Sequence, residues 1–163
     1  MIVLLMRHAE RVATPEPTCE RVQPLTPLGL LQVSAVAREV RRRLEGCSPF
    51  ACALVSPHRA ARETAERLLA GLDQPLSVSE CSALDPDASN QRDPRELNAL
   101  VAELAQHHGT RAAILVVGHQ PLLGELGRSW TGGRVSPVRG GVACIEREGT
   151  ASRVAWLIGP DRA

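Results

Sequence analysis

Ile2-Val3-Leu4-Leu5-Met6 is an unbroken apolar run that stops at Arg7-His8. Two later runs repeat the pattern. Cys52-Ala53-Leu54-Val55 stops at Ser56-Pro57, and Ala113-Ile114-Leu115-Val116-Val117 stops at Gly118-His119-Gln120-Pro121. Short apolar runs without polar alternation predict strands buried on both faces of a parallel sheet. Between them the apolar positions return at helical spacing. Val33, Val36, Ala37, Val40 and Leu44 mark a helix opened by Thr26 as N-cap and Pro27 in the first turn, and closed by Gly46 and Pro49. Arg38, Arg41, Arg42 and Arg43 cover mostly its other side, which reads as a solvated face. Ala61, Ala65, Leu68, Leu69 and Leu72 mark a second helix, begun at Ser56-Pro57 in the same manner. Asp93-Pro94-Arg95-Glu96 has the form of a capping box. It leads a third helix through Leu97, Leu100, Val101 and Leu104 to His107-His108.

A fourth helix is expected from Pro121 to Trp130, and two last strands near Val142–Arg147 and Val154–Ile158. Residues 9–25 read as a polar loop, and residues 73–92 as irregular with at most a short strand at Leu76-Ser77-Val78. Strand and helix alternate through most of the chain. That predicts an α/β fold with a largely parallel sheet covered on both faces. At 163 residues, one domain over 1–163 is expected.

Charge removes some partners from consideration. Nineteen basic and 18 acidic side chains give a net charge of +1, which offers nucleic acid or an anionic membrane no particular attraction. Every basic residue among the 19 is arginine, so Schiff-base and P-loop lysines are excluded, as is a tyrosine nucleophile. Cysteines at 19, 47, 52, 81 and 144 are odd in number and show no CxxC spacing, which argues against a zinc site or a disulfide framework. The first apolar run is too short for a signal peptide and no run approaches a membrane span. A cytoplasmic protein is expected.

Candidate chemistry gathers at the strand ends. Parallel strands bring Arg7-His8, Ser56 and His119 to one edge of the sheet, where open α/β sheets bind ligands. A guanidinium suits phosphate oxygens, and an imidazole can act as nucleophile or base. A helix beginning near Pro57 would turn free backbone N–H groups toward the same place. Ser56 reads as a helix cap more than a ligand. His58 stands at the pocket mouth or on the surface, and His107 and His108 fit the negative end of a helix.

Arg7-His8, Leu25-Thr26 with Gly29, Ser56-Pro57 with Thr64, and Gly118-His119-Gln120-Pro121 occur in the order of the histidine phosphatase superfamily. The chain resembles that superfamily, and its length and Leu84-Asp85-Pro86 segment look most like SixA-type phosphohistidine phosphatases. The resemblance implies a phosphoglycerate-mutase-like three-layer α/β/α sandwich with one antiparallel strand. It implies His8 as the nucleophile, with Arg7 and His119 holding the phosphoryl oxygens and no metal or other cofactor. It further implies a phosphorylated partner, either a protein such as a histidine phosphotransfer domain or a small molecule, with no nucleic acid and no membrane.

Two positions depart from the pattern. The family's second phosphate-binding arginine falls at Ala60, and Arg59, one residue earlier, is expected to take its part. The general-acid glutamate of one branch falls at Pro86, leaving Glu10 and Asp85 as candidate acids. Without a strong acid, phosphohistidine is the better substrate, because imidazole leaves more readily than an alkoxide. Two alternatives stand beside it: a small-molecule phosphomonoesterase, and a phosphate-binding pseudoenzyme without turnover.

Overall fold

The fold follows from which face of each strand finds a helix. A computed structural model describes residues 1–45, 47, 49–87, 94–108, 113–149 and 151–163, with backbone alone at Pro17, Thr18 and Arg162. Its strands are β1 (Ile2–Arg7), β2 (Phe50–Val55), β3 (Val78–Glu80), β4 (Ala113–Gly118), β5 (Val142–Glu148) and β6 (Ala151–Ile158). The helices are α1 (Pro27–Arg43), α2 (Arg59–Gly71), α3 (Pro94–His108) and α4 (Leu122–Thr131). One sheet runs in the order β3-β2-β4-β1-β5-β6. Strand β1 pairs parallel to β4, and β2 pairs parallel to both β4 and β3. Strand β5 is antiparallel to β1 and to β6, so it alone runs against the rest.

Alternation along β1 explains why its apolar run is unbroken. Leu4 and Met6 join Val33, Val36 and Leu68 in a core beneath α1 and α2. Val3 and Leu5 join Leu97, Leu123 and Leu126 beneath α3 and α4 on the other face. All four β1 residues are fully buried, and each large side chain so placed contributes about 1.5–3 kcal/mol. Strand β1 leads into the layer of α1, whereas β4 leads into α4 on the opposite face. The two neighbours therefore part at their carboxyl ends and leave a crevice there.

Several boundaries differ from the sequence reading. The third strand is Val78–Glu80 rather than Leu76–Val78, because β3 pairs with Ala53–Val55 one step further on. Helix α2 begins at Arg59, two residues beyond Pro57, with His58 as its N-cap. The polar loop holds a 3-10 helix, Pro17–Val22, and an antiparallel bridge between Arg11 and Leu25. Gly46 and Asp93, expected to close α1 and cap α3, lie outside the described residues. The arginine face of α1 is solvated as expected: Arg42 and Arg43 pair with Glu39, and Arg41 with Asp73. All five cysteines are free.

At the start of α1, Thr26 Oγ1 accepts a hydrogen bond from Gly29 N at 2.9 Å, and Pro27 fills the first turn. Gly29 is required here by close approach. A Cβ at this position would fall 2.1 Å from the carbonyl oxygen of Glu10. Gly29→Ala must push α1 away from the segment that follows His8. A loss of about 1–3 kcal/mol is expected from such overpacking. Denaturant unfolding should read it directly, with turnover falling at temperatures where the variant is still folded.

Candidate active site

Three strand ends bring the site together by their backbones. Arg7 N donates to Gly141 O at 3.0 Å, His8 N to Gly118 O at 3.1 Å, and Ser56 N to Val117 O at 2.9 Å. Gly140 N closes the set on His8 O at 3.1 Å. Helix α2 adds a tie from behind. Ala9 N donates to Thr64 Oγ1 at 3.1 Å, and Thr64 passes its own hydrogen to Ala60 O. The residue matched by the Thr64 motif thus holds the chain just after His8.

The His8 ring is nearly buried, with 6% of the residue exposed. Its Nδ1 lies 2.8 Å from Ala9 O. A carbonyl oxygen can only accept, so Nδ1 carries the hydrogen and Nε2 is left with its lone pair. The pKa of His8 is lowered to about 4. Burial is the largest cause; the bond to Ala9 O acts the other way, and the charges of Arg7, Arg11 and Arg139 lower it further. His8 is therefore neutral through the physiological range, as a nucleophile must be.

His119 ends β4 with its ring centroid 4.7 Å from that of His8. Its Nε2 meets Ser56 Oγ at 2.9 Å, which fixes the ring whichever partner gives the hydrogen. Burial, followed by His8 and His58, lowers its pKa to about 2. Ser56 accordingly orients His119 and accepts from His58 N at 3.3 Å, rather than capping α2 as its sequence suggested. Arg7 Nε is buried without a hydrogen-bond partner among the described residues. A buried guanidinium nitrogen beside a neutral nucleophile is disposed to receive an oxyanion.

Arg59 stands apart from this group. Its Nε donates to Glu63 Oε1 at 2.7 Å and its side chain is 55% exposed. The other Glu63 oxygen accepts from Leu25 N at 2.8 Å, so the pair braces the loop against α2. Arg11 and Arg139, unlike Arg59, act on His8 by charge. The sequence reading passed over both. Arg11 was in plain view, three residues after His8, whereas Arg139 reaches the site only through the fold of the 138–141 turn. Arg11 also pairs with Glu20 at 2.7 Å.

The candidate acids differ. Glu10 has a buried Oε2 without a partner among the described residues, and its backbone N donates to Gln32 Oε1 at 3.0 Å. Asp85 is already engaged: Arg21 Nη1 lies 3.1 Å from Oδ2, and His58 Nε2 lies 3.4 Å from Oδ1. Asp87 Oδ2 is closer still to His58 Nε2, at 2.9 Å. Two carboxylates thus gather on His58, which the sequence placed at the pocket mouth or on the surface. A turn after the 3-10 helix Ser82–Leu84 folds both aspartates onto His58. The ligand atoms of His58, Asp85 and Asp87 lie within 4.8 Å of one another, a spacing open to a metal ion.

A neutral histidine with a free Nε2, a second histidine beside it and arginines acting on both by charge make an arrangement chemically suited to receiving a phosphoryl group. A family profile for the histidine phosphatase superfamily (branch 1) matches residues 3–85, just over half of the chain. The chain belongs to that superfamily and is an enzyme of the phosphatase class. No curated protein matches it in sequence. Among solved structures it is similar to the protein histidine phosphatase SixA complexed with tungstate, with 24% identity and a TM-score of 0.78 over 99% of this chain and 98% of that one. It is similar also to the alpha-ribazole phosphatase of Shigella flexneri, with 20% identity and a TM-score of 0.69 over 98% and 97%. A third is a phosphoserine phosphatase mutant of Entamoeba histolytica in complex with phosphoserine, with 12% identity and a TM-score of 0.67 over 99% and 98%. These likenesses bear on the fold: the phosphoglycerate-mutase-like sandwich that the sequence implied is the fold of the chain.

Proposed function

We propose that the protein removes phosphate from phosphohistidine on another protein, through a phosphohistidine of its own at His8. The observation that carries this reading is the His8 ring, fixed through Nδ1 to Ala9 O with Nε2 free. In the first step the Nε2 lone pair forms a bond to phosphorus as the bond to the leaving nitrogen breaks. Water then attacks the phosphorus and returns the electron pair to His8. Arg7 and His119 hold the phosphoryl oxygens, with Arg11 and Arg139 adding positive charge, which is worth most in a partly dry site. Arg59 joins them only by leaving Glu63. Fixed cations take the part that magnesium plays in kinases.

A protein substrate is favoured by the rim. Val12 and Val138, each next in sequence to an arginine that acts on His8, are 39% and 55% exposed. Exposed apolar side chains around a charged centre suit a macromolecular partner. A second reading, a phosphomonoesterase of small molecules, is favoured by the His58–Asp87 pair beside His119. A cytoplasmic location fits both; among the described residues no helix is long and apolar enough to cross a membrane.

The test is turnover of a phosphorylated histidine phosphotransfer domain against small alkyl phosphates, each assayed with and without EDTA. Faster release from the phosphoprotein, unaffected by EDTA, is expected. Preference for the alkyl phosphates would favour the second reading, and rescue by added zinc or magnesium after EDTA would overturn the metal-free mechanism.

A further inference from the structure

Which ring nitrogen of a neutral histidine carries the hydrogen is set by the bond it makes. For His8 that bond runs to the Ala9–Glu10 peptide, whose oxygen accepts from Nδ1 at 2.8 Å. The N–H of the same peptide points the opposite way, as in any trans peptide, and donates to Gln32 Oε1 at 3.0 Å. A backbone N–H can only donate, so the oxygen of the Gln32 amide is the atom that faces Glu10. One peptide plane thus carries a hydrogen bond on each edge, with the nucleophile on one side and Gln32 on the other.

Helix α1 is built to keep Gln32 there. Gly29 and Gln32 share a helix face at i,i+3. The missing side chain of Gly29 lets that face lie flat on the Glu10 backbone, where a Cβ would fall 3.2 Å from Glu10 N as well as 2.1 Å from its oxygen. Thr26 N donates to Glu10 O at 3.0 Å, so the first turns of α1 grip Glu10 at both its polar backbone atoms. Gly140 lies against the same glutamine. A Cβ there would fall 3.1 Å from Gln32 Oε1 and 3.2 Å from Gln32 Cβ, and Gly140 N donates to His8 O at 3.1 Å. Gln32 therefore lies between the two backbone segments that hold His8.

We propose that Gln32 is a positioning residue for the nucleophile: by accepting from Glu10 N it fixes the Ala9–Glu10 peptide, and through Ala9 O it holds His8 in the tautomer that leaves Nε2 free to attack phosphorus. This rests on the phosphatase reading above. Gln32 acts through Ala9 O and is given no contact with the substrate. Two effects carry it. Hydrogen bonds in a chain polarise one another, so the bond to Gln32 makes Ala9 O a stronger acceptor for Nδ1. The same bond stops the peptide from turning. Without an acceptor at position 32 the Glu10 N–H gains by turning toward water, since an unpaired donor is costly, and Ala9 O turns with it away from Nδ1.

The experiment compares the wild type with Gln32→Met, Gln32→Ala and Gln32→Glu, by 15N NMR of the His8 ring at pH 7 and by steady-state turnover of p-nitrophenyl phosphate. At that pH the ring is neutral, so its two nitrogen signals read the tautomer directly. In the wild type a pyrrole-type Nδ1 and a pyridine-type Nε2 are expected. In Gln32→Met and Gln32→Ala the two signals should move toward each other as the other tautomer is populated. With them kcat should fall about 10–100-fold while KM changes less than about twofold, as for a misplaced reacting group. Gln32→Glu offers the same acceptor and should keep the wild-type signals and lose less kcat than either truncation. Gln32 is only partly buried, so the truncations are expected to fold. Unmoved ring signals in a folded truncation would mean that Gln32 only ties α1 to the loop, and would overturn the proposal whatever happens to kcat. Moved signals with unchanged kcat would overturn it too, and a wild-type ring with its hydrogen on Nε2 would do so without any variant. Ring signals that behave as expected in a protein that forms no acid-labile phosphoenzyme would remove the phosphatase reading and leave the hold of Gln32 on the ring standing.

Discussion

His8→Ala should abolish turnover and, with it, every trace of covalent phosphate on the protein. A brief incubation with labelled substrate followed by alkaline quench should leave acid-labile label on the wild type and none on the variant. The expected fall in kcat is more than about 10⁴-fold, the scale on which a covalent nucleophile acts in a hydrolase. Its basis is positional. Backbone bonds to Gly118 O and from Gly140 N hold the residue, and Ala9 O holds the ring, so no neighbouring group can be moved into the place of Nε2. The same burial has a pH signature. NMR titration of the His8 ring should show a midpoint near pH 4, the value to which burial and three arginines lower it. An unfolded histidine takes up a proton near pH 6.5. Between those two values the unfolded chain binds more protons than the folded one, so stability falls as pH drops through that window. Denaturant midpoints at pH 7 and pH 5 would show it. Label retained on His8→Ala would move the nucleophile elsewhere.

Arg7→Ala carries the second largest expected effect. The Arg7 guanidinium is partly buried beside the nucleophile, with Nε unpaired among the described residues. Burial and the nearby Arg139 both lower its pKa, yet an arginine remains charged at any working pH. A preorganised cation of this kind contributes about 10²–10³-fold to kcat when charge shifts onto phosphoryl oxygens. The variant should lose that factor and bind vanadate more weakly than phosphate binding alone would predict, because vanadate imitates the five-coordinate state. Arg7→Lys should recover only part, since an ammonium restores charge without the planar fork. Unchanged vanadate affinity in Arg7→Ala would assign the oxyanion contact to Arg11 or Arg139.

The strands, the order of helices and the meeting of His8 with His119 were legible because each depends on short-range pattern. An apolar run such as Ile2–Met6 fixes its own burial, and a polar tip on such a run is conspicuous. What escaped the sequence depended on side chains meeting across the chain. His58 read equally as facing the pocket mouth or the surface, because nothing local announces Asp85 and Asp87, beyond α2 and β3 in the chain, as its partners. Arg59 looked like a substitute for the arginine absent at Ala60, yet Glu63 one turn along the helix holds it by an ordinary i,i+4 pair. The start of α2 was misplaced because Ser56-Pro57 is a good local cap signal, and the bond from Ser56 to His119 overrides it.

The backbone of His8 is clamped from both sides, by Gly118 of β4 and by Gly140 of the turn before β5. His8 thereby shares the rigidity of the sheet on one side and of the turn before β5 on the other. Arg11 and Val12 sit on the connection that follows β1, and Val138 and Arg139 on the turn that carries Gly140. A substitution at Arg11 or Arg139 would thus change the charge that His8 feels and leave the backbone bonds that hold it in place.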